Sequence, residues 1–202
     1  MSYSDFKTVL EVTNKFDIEV MDKTFIDTLE IEIPGLYFTD ITKKLMDSMS
    51  FINEVTVCEN IIRPILNLVG EKYNALYIWS HVPYNVAPNE GLKGEPDYLV
   101  AQRTKQGGML IPPICIMEAK QEKFEEGWAQ TLAEMTATFK QGAKICYGVV
   151  TTGKAWEFGQ LENNVFTKDH NQISATMDLQ KVFDVLNWLF SMGNANLIKE
   201  RA

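Results

Sequence analysis

Asp97 follows Pro96 in the stretch Gly94-Glu95-Pro96-Asp97-Tyr98-Leu99-Val100, and an apolar run further along the chain ends in Glu118-Ala119-Lys120. Two carboxylates beside a backbone carbonyl are the oxygen donors that a hard divalent cation takes, with positions left open for water and phosphate. Asp97 and Glu118 therefore read as ligands for Mg2+ or Mn2+. Lys120 adds a compact positive charge where an attacking water or a pentacovalent phosphate needs it. The chemistry that suits this set is phosphodiester hydrolysis. A plainer alternative is a surface strand on which Glu118 and Lys120 neutralise each other, with Asp97 as a turn residue after proline.

Particular elements must bring these groups together. Ile111 to Met117 is apolar, partly β-branched and led by Pro112 and Pro113, so it predicts a buried strand. Alternation along it places Glu118 and Lys120 on one face and Ala119 on the other. Tyr98 to Ala101 predicts the preceding strand, joined through the polar, glycine-containing hairpin Arg103 to Gly108. Asp97 then starts one strand close to Glu118 on its neighbour. Beyond them, Trp128, Leu132, Met135 and Phe139 form a stripe at helical spacing. Tyr147 to Val150, the turn Thr151-Thr152-Gly153-Lys154 and the alternating Ala155 to Phe158 predict two further strands. Strand, strand, helix, strand, strand is an α/β order.

In this order and spacing the residues resemble the PD-(D/E)xK nuclease superfamily, which has the restriction-endonuclease-like fold. Pro96-Asp97 matches its first motif and Glu118-Ala119-Lys120 its second, while Gln130 sits where many members carry a helix glutamine near the metal. The stretch Val149-Val150-Thr151-Thr152-Gly153 with Trp156 and Phe158 is similar to a hairpin in the nuclease domain of type I restriction subunits. The span from Asn53 to Phe158 also looks like a group of small stand-alone bacterial proteins, many of them cyanobacterial. The resemblance implies a mixed central sheet flanked by helices, Mg2+ or Mn2+ as cofactor, DNA as partner, and catalytic roles for Asp97, Glu118, Lys120 and Gln130. It departs at Glu134, where many relatives of the glutamine-helix type have tyrosine. It further implies one more metal-binding carboxylate from the first helix of the core, where both Glu54 and Glu59 are candidates.

That helix is predicted over Asn53 to Val69, with Ile61, Ile62, Ile65, Leu66 and Val69 as its apolar stripe and Pro64 interrupting it. Glu54 falls in line with Cys58, Ile61 and Ile65, and Glu59 beside Ile62 and Leu66, so either reaches the edge of the buried face. Glu59 is slightly favoured; the alternative for each is a solvated carboxylate. Leu76 to Val82 predicts the first strand of the core sheet. His81 is one of two histidines and has no second histidine or cysteine at metal spacing, so it reads as structural rather than as a zinc ligand. Lys93 and the loop Asn85 to Asn89 are expected to edge the cleft.

At 202 residues and 46% apolar, the chain is long enough for one ordinary core, read as a single domain with an extension over 1–50, a core over 51–160 and a C-terminal strand and helix over 161–202. In the extension, Ser4 caps a helix through Phe16, Ile26 to Ile33 alternates as a half-buried strand ended by Pro34-Gly35, and Thr39 to Met49 forms a second helix. At the other end a helix from Asp178 stops at Met192-Gly193-Asn194, with Trp188 off its stripe as an exposed interaction point. No apolar run reaches the roughly eighteen residues of a membrane span, and the N-terminus lacks a signal-peptide pattern, so a cytoplasmic location is expected. Cys58, Cys115 and Cys146 read as small buried hydrophobes.

Charge opposes a DNA substrate. With 27 acidic against 19 basic residues, a net charge of −8 repels a polyanion. Glu118, Glu122, Glu125 and Glu126 crowd one corner, with Lys105, Lys120, Lys123, Lys140 and Lys144 as nearby cations. A bound divalent ion would offset part of the acid, and a partner subunit could supply DNA affinity; a protein partner or a homodimer is expected. Three functions follow: a metal-dependent nuclease, a catalytically silent nucleic-acid- or protein-binding module on the same fold, or a phosphodiesterase acting on a small substrate.

Overall fold

Residues 1–120 and 122–199 are described by a computed structural model, in which the chain runs α1 (Val9–Phe16), β1 (Glu19–Asp22), α2 (Gly35–Met46), α3 (Glu54–Val57), a π turn (Cys58–Ile62), α4 (Arg63–Gly70), β2 (Leu76–Ser80), β3 (Tyr98–Gln102), β4 (Cys115–Ala119), α5 (Phe124–Lys140), β5 (Ile145–Thr151), β6 (Ala155–Glu162), β7 (Val165–Lys168), β8 (Ile173–Ser174) and α6 (Leu179–Lys199). Eight strands make one mixed sheet in the order β1-β7-β6-β5-β4-β3-β2, with β8 also on β6. The β1–β7 and β4–β5 pairs are parallel and the others antiparallel. The protein is thus α/β, with helices on both faces of a mixed sheet.

Side-chain alternation sorts the two layers. Tyr98, Val100, Cys115, Met117, Tyr147, Val149, Trp156 and Phe158 pack with α4 and α6 on one face. Leu99, Ile116, Cys146, Val150, Leu161 and Phe166 pack with α5, Tyr3 and Phe6 on the other. All three cysteines are buried and unpaired. Among the described residues, no helix is long and apolar enough to cross a membrane.

The helix α5 is buried from Gly127 to Thr138 on nearly every side, only Gln130 being partly open, rather than along the single expected stripe. Its inner face reaches the sheet because Gly148 and Gly159, paired across β5 and β6, leave the surface bare beneath Trp128. A Cβ added at Gly159 would stand 2.8 Å from two atoms of the Trp128 ring and 3.0 Å from Phe166. Gly159→Ala is therefore expected to cost roughly 1–3 kcal/mol through overpacking, read as a lower urea midpoint. An unchanged midpoint would mean that the indole moves aside freely.

The N-terminal residues differ most from expectation. The cap of α1 is Thr8 rather than Ser4: its Oγ1 accepts the Glu11 N–H at 3.2 Å, and Glu11 returns a carboxylate oxygen to Lys7 N–H at 2.7 Å. Residues 26–33 are not a strand. Their backbone groups are met by side chains instead of a ladder: Asp169 accepts from Phe25 and Ile26, Asp184 from Ile31, while Gln180 and Asn187 donate to the carbonyls of Ile31 and Leu29. The strand that does form, β1, is exposed at all four residues and so carries no apolar alternation. The second helix starts at Gly35, directly after Pro34, and ends at Met46.

Pro64 has no N–H for the carbonyl four residues back, and the helix widens there to a π turn in which Arg63 N–H reaches Cys58 O. The strand expected from Ile111 is paired over Cys115–Ala119, later than predicted, which brings Glu118 inside the ladder. The last helix continues past Gly193, where a Cβ would stand 2.5 Å from Ile114 Cδ1; this glycine serves close packing rather than termination. Trp188 is not an exposed point, because its ring packs between Phe25 and Tyr147.

Candidate active site

Strand register builds the site. Ser80 pairs with Tyr98 and Tyr98 with Met117, so His81, Asp97 and Glu118 follow one another across β2, β3 and β4. Asp97 donates its backbone N–H to Glu118 Oε1 at 3.2 Å, and its own Oδ2 accepts the Ala119 N–H at 2.8 Å. Lys120, one strand position beyond Ala119, anchors its N–H on Thr151 O and reaches Glu118 Oε2 with Nζ at 3.3 Å. Asp97, Glu118 and Lys120 thus form one hydrogen-bonded group at one end of the central strands.

Glu118 is 1% exposed. Burial and the adjacent Asp97 charge push its carboxyl up to about 8, with Lys120 pulling the other way. Burial alone would lower Lys120, yet Glu118, Asp97 and Glu54 together hold it above the usual lysine range. From α5, Gln130 Nε2 donates to Glu134 Oε1 at 3.2 Å. Glu134 is fully buried, and burial followed by the Glu118 charge drives it well above the usual carboxylate range. Its Oε2 has no donor among the described residues. Neither of the two buried carboxyl charges is easily accommodated beside the other in the interior.

Beside this group lies a cleft of about 420 Å³ lined by Glu54, Lys120, Glu122, Lys123, Glu126 and Gln130, and walled by Ser4, Phe6 and Lys7 from the N-terminal segment. Glu54 is therefore the first-helix carboxylate that faces it; Glu59, exposed beyond the start of the π turn, is not among the lining residues. This reverses the preference for Glu59, since helical spacing alone left both at the edge of the apolar stripe. Lys93 and Asn85 to Asn89 do not line the cleft either. They are folded on themselves, with Tyr3 N–H on Lys93 O and Asn85 Oδ1 on Gly94 N–H. Lys140 is engaged with Glu90 at 2.8 Å.

A scan of family models finds no match for this chain, and a search of curated proteins finds no significant similarity.

Among the described residues, no three histidine, cysteine or acidic side chains stand together as a ready-made metal cluster. The donor chemistry nevertheless suits a divalent cation. Asp97 and Glu118 offer hard oxygens, Glu134 keeps a buried oxygen without a donor, and burial with the Asp97 charge raises the Glu118 carboxyl, a shift that a bound cation would oppose. Asp97 and Glu118 are the residues that would hold Mg2+ or Mn2+, with Glu54 on the wall of the neighbouring cleft.

Sequence reasoning treated Glu134 only as a departure from a pattern. Its spacing of four from Gln130 on one helix was the available signal that both share a face. His81, read as structural, has both ring nitrogens beside polar partners, Nδ1 2.9 Å from Ser80 Oγ and Nε2 3.5 Å from Asp97 Oδ1. Ser4 and Lys7 reach the cleft from the opposite end of the chain, and no local pattern announces that.

Proposed function

We propose that this protein is a divalent-metal-dependent nuclease hydrolysing DNA phosphodiester bonds, on a restriction-endonuclease-like core. The observation that carries the reading is the contact set of Asp97, buried Glu118 and Lys120 on adjacent strands beside an open cleft. A cation bound there would polarise the phosphate and supply an activated water. Asp97 and Glu118 would hold that charge in place, and the Asp97–Ala119 and Asp97–Glu118 hydrogen bonds orient both carboxylates. Lys120, kept protonated by its acidic neighbours, is no base. It would stabilise the negative charge that builds as the water oxygen bonds to phosphorus and gives up its proton to solvent, while an ester P–O bond breaks and the leaving oxygen takes a proton from solvent. Gln130 orients Glu134, which in turn backs Glu118.

The test is cleavage of supercoiled, linear and single-stranded DNA with Mn2+ or Mg2+, comparing the wild type with Asp97→Ala. Loss of both cleavage and cation binding in the variant supports the reading; metal-independent cleavage by the wild type overturns it. Glu54→Ala is expected to lower cation affinity roughly tenfold, as loss of a site carboxylate does, while Glu59→Ala changes nothing. Equal effects of the two would place the helix contribution elsewhere.

A catalytically silent module is the second reading, favoured by the net charge of −8 and by Glu54, Glu122 and Glu126 around the cleft. Cation binding at Asp97 without hydrolysis of any polynucleotide would select it. Under the nuclease reading a basic partner subunit would complete DNA affinity, and the cytoplasm is the compartment that fits.

A further inference from the structure

A second cavity lies across Glu122 from the cleft. It holds about 380 Å³ and is lined by Phe51, Ile52, Val57, Glu122, Thr152 and Lys154, a volume within the roughly 300–1,000 Å³ of small-ligand sites. Glu122 lines both spaces. They also meet through the backbone: Lys120, in the wall of the cleft, donates its N–H to Thr151 O, and Thr152 is the next residue. The turn that carries Thr152 and Lys154 is pressed against Val57 and Phe51, since a Cβ at Gly153 would stand 2.7 Å from Val57 Cγ1 and 3.4 Å from Phe51 Cε1.

The lining divides into an apolar and a polar part. Phe51 offers an aromatic ring and Ile52 an exposed aliphatic side chain beside it. Lys154 Nζ rests 4.2 Å from the Phe51 ring centroid and is in no ion pair among the described residues. A cation over a ring is held weakly at an exposed position, so a phosphate draws the ammonium away and uncovers the aromatic face. Thr152 Oγ1 accepts the Ala155 N–H at 3.1 Å, which leaves its hydroxyl hydrogen to be donated to an anion. Glu122, between the two spaces, repels a phosphate but accepts from the amino group of a base. A ring for a base, with a displaceable cation and a hydroxyl for a phosphate, is the equipment that holds one nucleotide of a single strand.

We infer that this cavity seats one unpaired nucleotide of the strand whose scissile phosphate lies at Lys120, with its base on Phe51 and its phosphate on Lys154 and Thr152, so that the substrate is single-stranded or locally unpaired DNA. This rests on the nuclease reading given above. Within a duplex the faces of each base are already covered by its neighbours, and Phe51 has none to take.

The probe is a short fluorescein-labelled oligodeoxycytidine, together with a series in which each position in turn is abasic and a duplex of the same length. Binding is read by anisotropy over roughly 50–200 mM salt, with Ca2+, which takes the same oxygen donors, in place of Mn2+. The variants are Phe51→Leu, Lys154→Gln and, as a control, Lys72→Gln, an exposed lysine ahead of β2 at the opposite end of the sheet. In wild type, one abasic position is expected to weaken binding roughly tenfold. Phe51→Leu should weaken the intact strand by a similar factor and lose the abasic penalty, a comparison made within one protein that a change in stability does not imitate. Lys154→Gln should reduce the salt slope by about 0.7, and Lys72→Gln should leave it unchanged. An abasic penalty that persists in Phe51→Leu, no penalty at any position, or tighter binding of the duplex than of the single strand overturns the inference; Asp97-dependent cleavage then leaves the nuclease reading standing. Absence of any Asp97-dependent cleavage or binding overturns both.

Discussion

Lys120→Ala is expected to lower metal-dependent DNA cleavage by roughly 10²–10³-fold, the scale of losing one charge-stabilising group from a preorganised site. The loss has two separable origins. Lys120 lies on the strand that carries Glu118 and contacts its Oε2 at 3.3 Å, so the ammonium is fixed beside the carboxylate that would hold the cation. Its removal takes away charge stabilisation during attack on phosphorus. It also removes the main influence that pulls the Glu118 carboxyl down against burial and Asp97. In the variant Glu118 therefore keeps its proton to higher pH, and cation affinity at pH 7 falls as well. Calorimetry and cleavage at pH 7 and pH 9 separate the two effects: the higher pH restores cation binding in Lys120→Ala but not the rate. Full activity at pH 9 would show that Lys120 acts only by ionising Glu118.

The second large effect concerns stability. In the folded, metal-free protein Glu118 holds its proton up to about 8, against 4.5 in an unfolded chain, and Glu134 shifts in the same direction. Between these values the folded state binds more protons than the unfolded state, so stability falls as pH rises. The contribution is fully present below about pH 4.5 and is lost by about pH 8 or above. The Tm of the metal-free protein is thus expected to decline from pH 5 to pH 8 by several degrees, at roughly 2–4 °C for each kcal/mol in a chain of this size. Glu134→Gln removes one of the two titrating protons and the charge it faces, and should flatten the profile and raise Tm at pH 8. Mn2+ should do the same in the wild type by binding the folded state. Asp169 acts in a different window. Burial works against it, but hydrogen bonds from Ile26, Phe25 and Asn171 hold it below the ordinary carboxylate range, so its contribution is lost only in acid. A Tm that is flat or rising between pH 5 and pH 8 would refute the buried-carboxyl account.

Several elements could be read without a structure, because each advertises itself through its own period. The strand through Tyr98 to Ala101, the hairpin around Gly153 and the helix through Trp128 carry the two- and 3.6-residue repeats that set which side chains share a face. Neighbouring strands with alternating side chains are enough to bring Asp97, Glu118 and Lys120 to one end of a sheet, which is why their proximity was legible. Partnerships between distant segments were not. Residues 26–33 alternate like a strand, but Asp169, Asp184 and Asn187 satisfy their backbone in place of a ladder. The exposed β1 pairs in the sheet with no hydrophobic signature. Glu54 rather than Glu59 faces the cleft because of how the helix, widened at its π turn, seats on the sheet. Glu134 meets Glu118, and Ser4 and Lys7 wall the cleft, only after α5 is pressed onto the bare glycine surface beneath Trp128. The sequence by itself determined the elements and which residues lie near one another along adjacent strands, since those follow from local backbone geometry. The tertiary structure alone decided the buried carboxyl pair and the walls of the cleft, since these depend on contacts between segments whose spacing along the chain encodes nothing about their distance in space.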